Sequence, residues 1–350
     1  MTESALAARR YDGKSVLVTG GTGFIGTHLS RQLIAYGAEV VVLGRHAAAL
    51  PAGVKLVLGD VRSEASVTPL IARRFDYVFN LAAYSGQVPS FTDHEQSLTT
   101  NCLGHLNLLE AIRTQSPETV MCFASSRLVY GRTQYLPVDE DHPQEARSFY
   151  GIHKRTCEEY CEYYALRFGV RSVALRISNP YGPHAPAGHH RYNIANWMID
   201  ELVAGREVAV YGRGEQLRDY IYIDDAVEAL LRATADPRAT GRIYNVGAGS
   251  GTSLIDFVRS VIDAVGSGRY KFVEWPQEFL EVETGDYAAN ISRIEAELGW
   301  RPRVSLQEGI AMTASAAGVA PKRDAALGRA AAQGSHAEPE LDAETLKRAA

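Results

Sequence analysis

Cysteine is scarce in this chain. There are four, Cys102, Cys122, Cys157 and Cys161, and no two form a C-x-x-C pair. The common structural zinc patterns are therefore absent. Cys157 and Cys161 stand one helical turn apart, but nothing else supplies ligands at zinc spacing. They read as buried free thiols of a reducing compartment. Long apolar runs are also missing: none approaches the roughly 20 residues a membrane helix needs. An excess of positive charge is missing too. Lys and Arg total 36 against 41 Asp and Glu, a net charge of −5, which excludes the basic footprint of a nucleic-acid binder. The N-terminal "MTESALAARRYDGK" has no apolar core leading to a cleavage site, so a cytoplasmic location is expected.

What is present is the composition of a globular enzyme, 46% hydrophobic and 22% charged. "KSVLVTG", "AEVVVLG", "VKLVLGD", "FDYVFNLAA" and "TVMCFASS" read as strands. Helical stretches such as Phe24 to Tyr36 and "NCLGHLNLLEAIRTQ" separate them. Strands alternating with helices predict an α/β fold with a doubly wound parallel sheet of Rossmann type. Residues 12–176 are expected to form the Rossmann-type domain, with 219–246 returning to it. Residues 177–218 and 247–316 should form a smaller α/β substrate-binding domain. The Ala-, Arg- and Glu-rich stretch 318–350 is expected to be a disordered tail.

"TGGTGFIG" places Gly20, Gly23 and Gly26 between the first strand and the first helix, with Phe24 and Ile25 opening that helix. Glycine lets the backbone turn tightly and approach a pyrophosphate, while the helix N-terminus offers amide donors. Asp60, with Val61 beside it, is placed to reach the adenine amine. Leu81, Ala82 and Ala83 in "NLAA" should run beneath the cofactor. In many nucleotide-binding enzymes a carboxylate stands where this chain has Gly44, and it holds the adenosine ribose. Gly44 removes its repulsion of a 2′-phosphate, and Arg45 adds charge and a flat face. The local physics therefore prefers NADP over NAD.

"YGIHK" puts Tyr150 and Lys154 one turn apart on one helix face. A tyrosine there can act as general acid or base, and a nearby ammonium together with a nicotinamide cation is expected to lower its pKa toward working pH. Ser126, at the end of the fifth strand, can bond the same substrate hydroxyl. His184, His189 and His190 read as a solvated loop; no metal is expected.

The ordered set "TGGTGFIG", "NLAA", "ASSRLVYG", "YGIHK", "RISNPYGP", "RDYIYIDD", "YNVGAG", "GDYAANISRI" and "LGWRP" resembles the extended short-chain dehydrogenase/reductase family, in its nucleotide-sugar epimerase/dehydratase branch. The resemblance spans about Lys14 to Ile310. It implies catalysis by Ser126, Tyr150 and Lys154, with Lys154 also on the nicotinamide ribose. It implies a nucleoside-diphosphate sugar between the domains, with Asn179 and Arg218 at the diphosphate and Asn193 facing the substrate. It also implies a homodimer through the helices near 96–114 and 149–168. Taken alone, Arg218 would be a surface ion pair with Asp219 or Glu215.

Two departures stand out. "ETGD" at 283–286 puts Glu283 where the family commonly has an arginine. Arg127 and Leu128 follow Ser126 where 4,6-dehydratases carry Asp-Glu, so dehydration by that route is disfavoured. The first expectation is a nucleotide-sugar 4-epimerase and the second an NADPH-dependent NDP-4-keto-sugar reductase. A third, from another class, is a non-catalytic NADP(H)-binding sensor, which would have no need of Ser126, Tyr150 and Lys154.

Overall fold

The computed structural model describes residues 9–185 and 193–319. Its centre is a seven-stranded, wholly parallel sheet. The strands are β1 (Ser15–Thr19), β2 (Glu39–Gly44), β3 (Lys55–Leu58), β4 (Tyr77–Asn80), β5 (Val120–Ser126), β6 (Arg171–Ile177) and β7 (Ile243–Val246). They lie side by side as β7-β6-β5-β4-β1-β2-β3. The order reverses direction at β1, where the chain moves outward through β2 and β3 and then returns to β4. Such a switch opens a crevice at the carboxyl ends of the strands.

Both faces of the sheet are covered, which is why the strands are apolar almost throughout. Val16, Val18, Val40, Val42, Phe79, Cys122 and Ala124 form one core with the helices α1 (Phe24–Ala35) and, later in the chain, Ile223–Ala235. Leu17, Val41, Leu43, Val78, Met121 and Phe123 face the other way, onto α2 (Gly104–Gln115) and α3 (Phe149–Phe168). The alternation along each strand is the period-2 rule of the pleat.

Most sequence boundaries shift by one or two residues. The larger difference is at "NCLG": a π-helical turn, Thr99–Leu103, precedes α2. Asn101 in that turn clamps the chain after β4, accepting from the Tyr84 N–H (2.9 Å) and donating to the Tyr84 carbonyl (3.1 Å). A wide turn frees backbone for such contacts, and propensity does not encode it.

Residues outside the sheet make three small pairings: Asn179–Tyr181 with Tyr220–Tyr222, Leu217–Arg218 with Thr252–Ser253, and Glu207–Tyr211 with Arg269–Val273. The first follows directly on β6 and carries Asn179, and the second carries Arg218. Among the described residues no helix is long and apolar enough to cross a membrane. His189, His190 and the stretch from residue 320 onward lie outside the described residues.

Candidate active site

The glycine turn joins β1 to α1. Gly20 has φ +70°, and a Cβ there would lie 2.7 Å from the Leu81 carbonyl oxygen and the Ala82 nitrogen. A Cβ on Gly26 would overlap the Gly20 carbonyl. Gly23 caps α1, whose first turn carries no acidic residue. The helix therefore presents its amide donors and positive end without a competing carboxylate. Phe24 is buried in the core and Ile25 packs against it. The strand ends are tied together below. Thr19 Oγ1 donates to Asn80 Oδ1 (2.8 Å) and accepts from the Ala82 N–H (3.2 Å). Asn80 Nδ2 meets His105 Nδ1 (3.0 Å), and burial, followed by Lys154, holds His105 down to about 3, so its ring is neutral. Leu81, Ala82 and Ala83 are half-buried along this edge, as a surface running under a ligand requires. This cradle, tight enough to admit only glycine and lined by donors, fits a dinucleotide.

At its adenosine end Asp60 accepts from Arg62 through the backbone N–H (2.9 Å), Nε (2.9 Å) and Nη2 (2.7 Å). Burial raises the Asp60 pKa, but the Arg62 bonds outweigh it and hold the carboxyl below its usual range. Val61 is buried and its carbonyl accepts from Asn107 Nδ2 (2.9 Å). Arg45 follows β2, is exposed, and lies within electrostatic reach of Asp60.

Ser126 ends β5, and Tyr150 and Lys154 project from the first turns of α3. The helix starts there because Ser148 accepts from the Gly151 N–H (3.2 Å) as its N-cap, and it ends at Gly169, φ +70°. Lys154 is 2% exposed; its Nζ donates to the Ala124 carbonyl (2.7 Å) and sits 4.6 Å from the Phe123 ring centre and 5.5 Å from that of Tyr150. Burial pushes Lys154 down to about 8. Tyr150 corrects an expectation. Its phenol is pushed up, by burial first and then by Cys157, with only the Ser126 hydrogen bond pulling it down. Desolvation of the phenolate outweighs the neighbouring ammonium, whose charge is itself disfavoured by burial.

The substrate-side residues bring further corrections. Arg218 is committed within the protein. Its Nη2 donates to both carboxylate oxygens of Glu283 (2.7 Å each), and its Nη1 to the carbonyls of Leu217 (2.9 Å) and Gly285 (3.0 Å). The ion pair is with neither Asp219 nor Glu215. Asp219 is buried and accepts from Ser178 Oγ and the N–H groups of Ala248, Gly249 and Ala289, while Glu215 faces Arg213. Asn193 caps the helix Ile194–Val203: its Oδ1 accepts from the Asn196 N–H (3.1 Å) and its Nδ2 donates to the Pro180 carbonyl (2.9 Å). Both ends of that amide are therefore engaged within the protein. Asn179 is half-buried, and its Oδ1 accepts from Arg127 Nε (3.0 Å).

Arg127 is the residue the sequence reading underrated, having treated it only as a departure from the dehydratase pattern. It is buried between β5 and the 283–287 segment, with Nη1 donating to Thr284 Oγ1 (3.1 Å). The signal was available: a charged residue directly after Ser126, with Glu283 beside the other arginine. Among the described residues no group of three acidic, histidine or cysteine side chains could hold a metal ion. His184 is exposed, as a solvated loop residue would be, and its ring stacks 6.4 Å from that of His28.

Comparison with known proteins agrees with this geometry. The UDP-glucose 4-epimerase of Mycolicibacterium smegmatis is 32% identical over 310 residues, covering 85% of this chain and 96% of that one. The Thermotoga maritima UDP-glucose 4-epimerase, solved with UDP-glucose, has a TM-score of 0.79 at 29% identity, covering 86% of this chain and 98% of its own. The Thermus thermophilus UDP-glucose 4-epimerase, solved with NAD, has a TM-score of 0.78 at 30% identity, with the same 86% and 98% coverage. The model of the NAD dependent epimerase/dehydratase family matches residues 16–247. That match takes in the glycine cradle, Ser126, Tyr150, Lys154 and all seven strands, and the chain belongs to the NAD-dependent epimerase/dehydratase family, among the extended short-chain dehydrogenases/reductases.

Proposed function

We propose that this protein is a nucleotide-sugar 4-epimerase. The observation that carries the reading is the grouping of Ser126, Tyr150 and Lys154 at the carboxyl end of β5, beside a cradle that admits only glycine. Relatives named for 4-epimerase activity on UDP-sugars support it. The cofactor would be held by Gly20, Gly23 and Gly26 at the diphosphate, by Asp60 and Arg45 at the adenosine, and by Tyr150 and Lys154 at the nicotinamide ribose. Bound there, the cofactor would supply a reversible hydride acceptor for the sugar carbon and a positive charge that favours the Tyr150 phenolate.

The protein's own part is proton transfer and positioning. Ser126 and Tyr150 hold the C4 hydroxyl between them. Tyr150 takes its proton as the C4 carbonyl forms and gives it back on the return. Lys154, charged at neutral pH, favours the phenolate through space. Burial keeps water from competing for the proton. Leu128 has no proton to exchange, so elimination of water across C5 and C6 has no acid or base at that position. General acid–base groups contribute about 10²–10⁴-fold. Tyr150→Phe is therefore expected to lose at least about 100-fold in turnover; loss of less than tenfold overturns the assignment.

A second reading, an NADPH-dependent NDP-4-keto-sugar reductase, is favoured by one observation: Arg45 is exposed beside Asp60, and Gly44 carries no carboxylate. Denaturing the purified protein and identifying the released nucleotide separates the two. Stoichiometric NAD supports the epimerase. An empty protein that prefers NADPH to NADH supports the reductase. Assembly as a homodimer is part of the proposal. Leu98, Leu103, Phe149, Ile152 and Leu166 are exposed on the segment 94–115 and on α3, and Ile152→Glu is expected to give a monomer by light scattering.

A further inference from the structure

Three charged side chains meet over the carboxyl end of β5: Arg127, Arg218 and Glu283. Arg218 and Glu283 cancel through their paired bonds. The remaining positive charge rests on Arg127, which is only 8% exposed. Its two protein partners, Asn179 Oδ1 and Thr284 Oγ1, are neutral. Among the described residues no carboxylate is hydrogen-bonded to it, and Glu283, which lies within its electrostatic reach, is taken up by Arg218. Arg176, also buried, shows what a purely structural arginine does: it bonds Glu158 (2.7 Å), Tyr130 Oη (2.9 Å) and the Glu140 carbonyl (3.1 Å). Burial first, and Arg218 second, bring Arg127 down to about 10, so it is still a cation at neutral pH. The Tyr287 ring centre lies 5.2 Å from the guanidinium carbon. The hydroxyls of Tyr287 and Tyr220, both buried and both within electrostatic reach of Arg127, have no hydrogen-bond partner among the described residues. A buried cation without a counter-ion is costly, and an anion that completes its fork relieves the cost.

We propose that Arg127 is a substrate-binding residue whose guanidinium receives an anionic oxygen of the nucleotide sugar. The inference rests on the nucleotide-sugar reading and deepens it. The oxygen belongs either to the diphosphate or to a carboxylate on the sugar ring, since Arg127 adjoins Ser126 and reaches toward Asn179 at once. Glu283 sets the balance: it withholds Arg218 and leaves the ligand to Arg127.

The test is calorimetric titration of the purified protein and its Arg127→Gln and Glu283→Gln variants with UDP, UDP-glucose, UDP-glucuronate and inorganic pyrophosphate. Arg127→Gln is expected to weaken binding at least about 30-fold, equivalent to about 2 kcal/mol. A loss shared by UDP, UDP-glucose and UDP-glucuronate assigns the oxygen to the diphosphate. A loss confined to UDP-glucuronate assigns it to a sugar carboxylate. Glu283→Gln, which releases Arg218, is expected to tighten binding of the diphosphates, a gain that misfolding cannot produce. If the parent protein binds no UDP ligand, the nucleotide-sugar reading fails. Pyrophosphate then still decides the role of Arg127, which stands if the variant loses pyrophosphate. Affinities unchanged within threefold for every ligand in Arg127→Gln overturn the inference.

Discussion

Lys154 sits in the core at a cost, and removing it should make the protein more stable while abolishing its activity. Burial lowers its pKa from 10.5 to about 8. At about 1.4 kcal/mol per unit, that is roughly 3 kcal/mol of penalty on the charged form. The folded pKa lies below the unfolded one. The penalty is therefore complete below about pH 8, shrinks as pH rises, and is gone above the unfolded value. Lys154→Met keeps the length of the side chain and removes the charge. It also leaves the Ala124 carbonyl without its donor, which costs about 1–3 kcal/mol. The net gain at pH 7 is on the order of 1 kcal/mol, or about 2 °C in Tm for a chain this long. At pH 10, just below the unfolded value, most of the penalty is gone and the carbonyl's loss outweighs what is left, so the variant should melt below the parent. Thermal melts followed by circular dichroism at both pH values give the comparison. A variant that melts lower at pH 7 by the same margin as at pH 10 refutes the claim that Lys154 is held charged against its environment.

Lys154 releases its proton before Tyr150 as pH rises, with its own pKa brought down to about 8 by burial. Once neutral, it no longer favours the Tyr150 phenolate. The kcat/KM for oxidation at C4 is therefore expected to fall above about pH 8; a continued rise from pH 8 to 10 contradicts the role given to the Lys154 charge. Breaking the buried pair of Glu158 and Arg176 with Glu158→Gln leaves Arg176 uncompensated under the sheet. Chemical denaturation should show a loss of about 3–5 kcal/mol, and a loss below 1 kcal/mol would count against a charged Arg176. Gly20→Ala places a methyl group against the Leu81 carbonyl in a left-handed conformation. It should purify without bound dinucleotide, whereas normal nucleotide content would mean that the cradle is looser than described.

The sheet was legible because its local signals agree. "EVVVLG" and "VMCFASS" are long β-branched and apolar runs, each bounded by a turn or helix signal, and buried parallel strands need such runs. The glycine turn was legible for the same reason, since Gly20 is required by backbone conformation and by the closeness of Leu81. Ser126, Tyr150 and Lys154 could be placed because a helix fixes the spacing of two and a strand end the third. The charge state of Tyr150 could not, because it depends on how much water α3 excludes. Nor could the fate of Arg218, whose partner Glu283 stands 65 residues along the chain. Nor could the helix cap that Asn193 forms, because the Pro180 carbonyl it also bonds is brought beside it by the fold.

The most direct test of C4 hydride chemistry uses a panel of UDP- and dTDP-hexoses carrying deuterium at C4. The purified protein is incubated with each sugar and the products are read by NMR. The account predicts the C4 epimer of at least one sugar, with the deuterium still on C4, because hydride leaves and returns to the same carbon without meeting solvent. An epimer whose C4 deuterium is lost to water, or no C4 epimer from any member of the panel, would contradict it.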